Sequence, residues 1–299
     1  MPTSPVAARI LKPGPHSIWV DKGRRLCQDF GLCEGGAADS YAYQWVNALL
    51  RNPAGNPAIE ITAGPFELEF QTAVRVALCG ANCEAWLSNR RLHNWSSFNV
   101  SPGDRLKLGF ARSGLRSYLG FMGSVELSSH FGSCQQLQSD GSHKLLATGE
   151  TFRLQPANQS PPLNTMVPWW LIPNYDELLH LHLFCGYQFA QFEPRQIAQF
   201  FNSEYTVTAS SNRMGYRLAG EAVKWQKEGI VSQGIAYGSV QITPDGNPIV
   251  LLNDRQTIGG YPKLGCVARA DCARLAQCRP GQRVKFERSF LADISKHAL

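Results

Sequence analysis

The chain has 299 residues, 43% of them hydrophobic and 17% charged, with 27 glycines, 18 prolines and a formal net charge of +6. That length and balance exclude intrinsic disorder and leave room for two domains with sizeable cores. The basic residues are scattered apart from Arg24-Arg25 and Arg90-Arg91, so no aromatic-interleaved basic patch for nucleic acid is expected. No window approaches the roughly 18 apolar residues of a membrane span.

From the N-terminus, Met1 to Pro15 has no uninterrupted apolar core, and no signal peptide is expected. The nine cysteines are odd in number and contain no CxxC pair; they read as reduced thiols of a cytoplasmic protein. Ile18 to Val20 is a short strand, followed by the turn Asp21-Lys22-Gly23-Arg24. Asp39-Ser40 can cap a helix from about Tyr41 to Leu50, with Tyr41, Trp45, Ala48 and Leu49 on one face, and Asn52-Pro53 stops it. Residues 57 to 110 then read as a meander: Ile59–Ala63, Phe66–Phe70, Ala73–Cys79, Ala85–Ser88 and Arg105–Phe110 are short runs separated by Gly, Pro or Asn. Gly114 to Gly123 is a further strand.

Residues 139 to 167 are weakly patterned and rich in proline at their end, which sets a domain boundary at 155/156. The two expected domains are 1–155 and 156–299. Trp169 to Ile172 opens the second β-rich half. Leu179–Phe184 alternates, Glu193–Asn202 is a short helix begun by Pro194, and Tyr205–Ala209 is a strand leading into the polar loop Ser210–Leu218. Ser239–Thr243 and Pro248–Asn253 flank Pro244-Asp245-Gly246-Asn247, a hairpin signal with turn chemistry at its tip. The second run ends in Asn253, Asp254, Arg255, Gln256 and Thr257, with Gly259-Gly260-Tyr261-Pro262 close behind. Amides, a carboxylate, a guanidinium and a hydroxyl beside two glycines make a polar pocket wall or an ordinary surface loop. A short helix near Asp271–Gln277 and a strand Arg283–Phe286 complete the pattern. Many short strands and few helices indicate a mainly β protein, an all-β or barrel-like pair of domains.

Most catalytic signatures are missing. His180-x-His182 lies on a strand, but no further His or Cys falls at ligand spacing, so no metal site is expected. There is no G-x-S-x-G elbow and no Gly-rich loop ending in Gly-Lys-Ser/Thr. Asp21, Asp39 and Asp254 are the carboxylates beside polar loops; each reads either as a cap or turn former or as a proton-transfer group.

Four stretches carry more. Ser211–Leu218 (SNRMGYRL), Gly238–Ile242 (GSVQI), Asp245–Asp254 (DGNPIVLLND) and Gln256–Pro262 (QTIGGYP) closely resemble the biotin-dependent carboxyltransferase-like family. That family includes 5-oxoprolinase C subunits, the antagonist of a sporulation-kinase inhibitor and the carboxyltransferase part of urea carboxylase. Asp21–Arg24, Gly36–Asp39, Asn47–Asn52, Ile59–Thr62 and Arg116–Leu119 agree more loosely, and the resemblance spans about residues 18 to 292. The first-half motifs depart from the usual pattern at Val20, at Leu26, at Gly132–Gln136 and in the shortened run Asp140-Gly141-Ser142; the usual Leu-Pro-Gly-Pro is here Phe184–Tyr187.

The resemblance implies two cyclophilin-like β-barrel domains with a few short helices. It also implies a role with 5-oxoprolinase subunits A and B, most directly with the second of them, in ATP-dependent opening of the lactam of 5-oxo-L-proline to L-glutamate. ATP would be handled with the partner subunits. The alternatives are a carboxyltransferase acting on urea or a related amide, with biotin arriving on another chain, and a regulatory protein that binds a kinase inhibitor resembling the B subunit. The catalytic set expected from residue chemistry is Asp254, Arg213 and Gln256. Tyr216, Gln241, Thr257, Tyr261, Gly259, Gly260 and Asp39 are expected to bind substrate. Arg213 would hold a carboxylate or phosphoryl group, Gln241 and Gln256 would orient the amide, and Asp254 would transfer a proton. The competing reading is that Arg213 and Asp254 pair to hold two loops together.

Overall fold

The computed structural model describes residues 5–138, 142–155, 165–226 and 230–290. The protein is mainly β, and its described residues contain three α-helices: Ser40–Leu49, Pro194–Asn202 and Arg269–Leu275. None of them is long and apolar enough to cross a membrane. Two compact units divide the chain. One comprises residues 1–24 and 39–175, the other residues 25–38 and 176–299. The division therefore falls twenty residues beyond the expected 155/156, and a short N-terminal segment belongs to the later unit. Trp169–Leu171, expected to open the second half, is instead an exposed 3-10 turn of the first unit. Most of the proline-rich stretch used to place the boundary (156–164), like Asp140 and Gly141, lies outside the described residues.

The first unit is a ten-stranded sheet. Two expected breaks are absent. Ala73–Cys79 and Ala85–Ser88 are parts of one strand, Val74–Leu87, and Arg105–Phe110 runs on through Gly114 as Arg105–Phe121. The register of this pair shifts between Gly80 and Asn82 and twice more before Ala85. Glycine at positive φ lets the strand bulge and continue where the sequence pattern suggests a turn. Alternation in Phe66–Phe70 is realised as expected, with Phe66, Leu68 and Phe70 in the core and Glu67 and Glu69 half-exposed.

Helix Ser40–Leu49 starts at the predicted cap. Asp39 Oδ1 accepts hydrogen bonds from Tyr41 N and Ala42 N, each at 3.0 Å. Its buried face is Ala42, Tyr43, Val46, Asn47 and Leu49 rather than the expected Tyr41, Trp45, Ala48 and Leu49. Tyr41 and Trp45 are half-buried and Ala48 is exposed, with the Tyr41 ring 6.0 Å from that of Trp95. The helix packs on Gly120, where a Cβ would come within 2.1 Å of Val46 Cγ1.

The second unit is a closed seven-stranded barrel. In order around it run Leu179–Cys185, Lys263–Val267, Ser239–Ile242, Pro248–Leu251, Gly215–Ala219, Glu204–Val207 and Arg283–Ser289. The last closes on the first in parallel, Leu181 opposite Phe286, while the other pairings are antiparallel. Alternate residues fill the interior, including Leu181, Tyr216, Leu218, Val240, Val250 and Phe286. A small barrel of this kind is packed solid by its inward side chains. The predicted hairpin is present, with Gln241 opposite Ile249. On Leu179–Cys185, His180 Nδ1 lies 2.5 Å from Glu287 and His182 Nδ1 2.8 Å from Asp271.

None of the nine cysteines is held in a disulfide. Burial pushes the thiols of Cys79, Cys83, Cys134 and Cys272 above the ordinary range, which makes them poor nucleophiles.

The close approach at Gly120 gives a testable outcome. Gly120→Ala should destabilise the protein by about 1–3 kcal/mol through overpacking. Combining it with Val46→Ala should recover part of that loss in urea denaturation. Additive losses in the double variant would show that the helix does not rest on this glycine.

Candidate functional site

The sequence-predicted residues of the second unit fall into three groups. The first is structural support within the second unit. The Arg213 guanidinium grips the Asp254 carboxylate with two hydrogen bonds, Nε to Oδ2 at 2.7 Å and Nη2 to Oδ1 at 3.1 Å. Both side chains are largely buried, and Asp254 N also donates to Arg213 O at 3.1 Å. The same Nη2 donates to the carbonyl of Gly36 at 2.7 Å. The flanking residues hold the same segment. Asn253 Nδ2 donates to Gly35 O at 2.9 Å and to Ala37 O at 3.1 Å, and Arg255 Nη1 pairs with Glu34 at 3.1 Å. Residues 34–37 thus form a strap fastened by the side chains of Asn253, Arg255 and Arg213, with Asp254 holding Arg213 in place. Tyr216, expected to bind substrate, is also structural. Its ring lies in the barrel core, 1% exposed, and its hydroxyl donates to Ala276 O and Cys278 O. The alternation of Gly215–Ala219 turns every second side chain inward, and Tyr216 falls on that phase.

The second group lines a pocket of about 140 Å³ that includes Gln241, Gln256, Tyr261, Arg217, Asn212 and Ile249. Gln241 is 5% exposed. Its Nε2 is buried with no hydrogen-bond partner among the described residues. Gln256 and Tyr261 are exposed at the mouth. Sequence reasoning passed over Arg217 and Asn212 as pocket residues, while Arg255, read there as part of a polar pocket wall, does line the pocket. Arg217 could have been found, because it lies two residues after Gly215 on a strand with the same phase.

The third group supplies backbone. Ile258–Gly259 pairs with Gln233–Gly234 as a two-stranded ribbon, and the Thr257 carbonyl accepts from Ile235 N at 3.0 Å. The ribbon lies against Gln241, for a Cβ at Gly259 would stand 3.2 Å from Gln241 Nε2 and 2.7 Å from Ile235 Cδ1. A Cβ at Gly260 would meet Ile230 O at 3.0 Å.

Asp39 belongs to the first unit, where it caps a helix. Beyond the two backbone bonds to its Oδ1, its Oδ2 accepts from Tyr175 Oη at 3.0 Å, and its N–H donates to Tyr118 Oη at 2.7 Å. Tyr118 in turn donates to Glu60 at 2.8 Å. Burial beside Glu60 and Asp39 holds the Tyr118 phenol well above its ordinary range, keeping it a neutral donor. Asp21, the carboxylate of the first-half motif, accepts from Gly23 N, Ser133 Oγ and Cys134 N, and the Arg24 guanidinium donates to Gln135 O.

The cations near the pocket are mostly engaged. Arg255 Nε donates to Ile235 O at 3.0 Å, and its guanidinium lies 5.6 Å from the centre of the Tyr237 ring, with that of Arg269 at 4.6 Å. Burial pushes the Tyr237 phenol up, so these cations face a neutral ring. Lys263 Nζ donates to Gly234 O at 3.2 Å.

Residues 30–288 match the model of the carboxyltransferase domain family, subdomains A and B. The chain is 32% identical over 293 residues to the 5-oxoprolinase C subunit of Escherichia coli, covering 96% of this chain and 93% of that one. The 5-oxoprolinase C subunit of Haemophilus influenzae is 33% identical with the same coverage. The crystal structure of Kluyveromyces lactis urea amidolyase superposes with a TM-score of 0.88 at 25% identity. The match covers 99% of this chain and 19% of that one, so the fold here is one part of a much longer protein there.

Removing one partner of a buried ion pair leaves the other charge uncompensated. Asp254→Asn is therefore expected to lower stability by about 3 kcal/mol in urea denaturation. The double variant Arg213→Met/Asp254→Leu should lose less than the sum of the two single changes. Simple additivity would remove the pair from its strap-holding role.

Proposed function

This chain belongs to the carboxyltransferase domain family with subdomains A and B, and on that footing we propose that it is the C subunit of a 5-oxoprolinase. It would act with subunits A and B in the ATP-dependent opening of 5-oxo-L-proline to L-glutamate. The observation that carries the reading is the near full-length identity, in both directions, with proteins named as 5-oxoprolinase C subunits. A pocket small enough for a five-membered lactam, holding a buried amide nitrogen without a partner among the described residues, supports it.

The lactam is an unstrained amide, so its opening needs activation from outside the ring. A nucleoside triphosphate exceeds a pocket of about 140 Å³, well below the volume of sites that hold drug-sized ligands. The chain also lacks a Gly-rich loop ending in Gly-Lys-Ser/Thr. This pocket does not fit ATP, and we assign nucleotide handling to the partner subunits, in a cytoplasmic assembly. The part of this chain is to hold the amide. Gln241, Gln256 and Tyr261 contact it, Thr257, Gly259 and Gly260 set the wall, and Arg213 and Asp254 keep the adjoining loops in place.

A second reading has one observation in its favour, the likeness to urea amidolyase. In that reading the pocket holds urea or a related amide, and carboxyl transfer uses biotin carried by another chain.

The test is glutamate release from 5-oxo-L-proline and ATP, with this chain present or omitted alongside subunits A and B. Release only when all three are present is the expected outcome. No release, together with carboxylation of urea by a biotin-bearing partner, would replace the first reading by the second.

A further inference from the structure

Three pocket residues stand on one register line. Arg217 is opposite Ile249, and Ile249 is opposite Gln241, in adjacent antiparallel ladders. Their side chains therefore point to the same face. That face is the outside of the barrel, because the neighbours Tyr216, Leu218, Val240 and Val250 fill the interior. All three line the pocket, with the smallest residue, Gly215, in the same lining. A Cβ at Gly215 would crowd Ile249 and Leu251 at 2.9 and 3.0 Å, so glycine keeps this floor clear.

The two ends of the line differ in chemistry. Gln241 is a nine-tenths buried carboxamide in the pocket lining, and its Nε2 has no hydrogen-bond partner among the described residues. Buried amides are almost always paired, so an unpaired one on the wall of a cavity has donors to offer a ligand there. Arg217 is exposed, and its guanidinium has no ion pair or hydrogen bond to a described residue. The neighbouring cations Arg255 and Lys263 are already committed to Glu34 and to backbone carbonyls.

We propose that this line is the subsite for a lactam that carries a carboxylate. The Gln241 carboxamide meets the ring amide edge to edge, donating to the lactam C=O and accepting from the lactam N–H. A lactam is a cis amide, so its C=O and N–H lie on the same side and one primary carboxamide reaches both; a trans peptide bond offers them on opposite sides. Ile249 supplies apolar contact for the ring methylenes. The guanidinium of Arg217, two strand spacings of roughly 4.8 Å from Gln241, takes the carboxylate with paired hydrogen bonds. The inference rests on the 5-oxoprolinase reading and adds which residue reads the amide and which reads the charge.

The test measures binding of 5-oxo-L-proline and of 2-pyrrolidinone, the same ring without the carboxylate, to the full chain alone and assembled with subunits A and B, by calorimetry. Arg217→Gln should weaken 5-oxo-L-proline about tenfold, the worth of one charge-assisted contact, and leave 2-pyrrolidinone unchanged. Gln241→Leu should weaken both. Arg217 is exposed, so its variant folds and keeps the test decisive even where Gln241→Leu does not fold. Equal affinity of Arg217→Gln and wild type for 5-oxo-L-proline, or no binding of either ring by wild type, overturns the subsite. Glutamate release by the wild-type assembly with unchanged KM in both variants overturns the subsite and leaves the 5-oxoprolinase reading standing. The expected binding pattern without any glutamate release does the reverse.

Discussion

The grip of Arg213 on Asp254 is the constraint on which the second unit depends. A guanidinium buried this deeply needs acceptors for its fork of donors, and a carboxylate plus the Gly36 carbonyl provide them. The pair fixes where the Gly215–Ala219 strand begins and where the Pro248–Leu251 strand ends. Asn253 and Arg255, on either side of Asp254, fasten the same 34–37 segment. The stretch from Asn253 to Arg255 thus reads as chemistry in sequence and acts as a clasp in structure. Its charges are consumed locally, which leaves the adjoining pocket with one neutral amide inside and one exposed guanidinium.

A packed barrel core dictates where a ligand can go. Tyr216, Val240, Val250 and Phe286 occupy the interior, so the space for a small molecule lies on the outer face. There the Gln233–Gly234 and Ile258–Gly259 ribbon lies against Gln241. Period-two alternation assigns the two faces of each strand without ambiguity, and it separates Tyr216 from Arg217 although they are neighbours in the chain.

Much of the fold was legible. The hairpin around Pro244–Asn247, the cap at Asp39 and the Pro194 helix start all depend on local turn and cap chemistry, and they lie where such chemistry puts them. The long strands were not legible, because a bulge at Gly80 and a turn at Gly80 look the same in sequence and differ only in the partner strand. The buried face of Ser40–Leu49 was misread because the aromatic rings of Tyr41 and Trp45 outweigh Ala42 and Val46 in any pattern. Packing against Gly120 favours the smaller residues. Of the expected site residues, Gln241, Gln256 and Tyr261 are brought together, while Arg213 and Asp254 are turned to each other. Residue type alone does not distinguish a charge kept for a ligand from a charge kept for a loop.

The strap has a consequence for how the protein is made. Gly35 and the Asn253 side chain that holds it are 218 positions apart. At a ribosome adding 5–20 residues per second, the clasp leaves the exit tunnel on the order of ten to forty seconds after the strap. Throughout that interval the carbonyls of Gly35, Gly36 and Ala37 have only water to bond, and the whole sheet of the first unit is synthesised before their partners exist. The second unit is therefore completed by recapture of a segment made near the start of translation, and a chain stalled before Asn253 carries the strap unclasped.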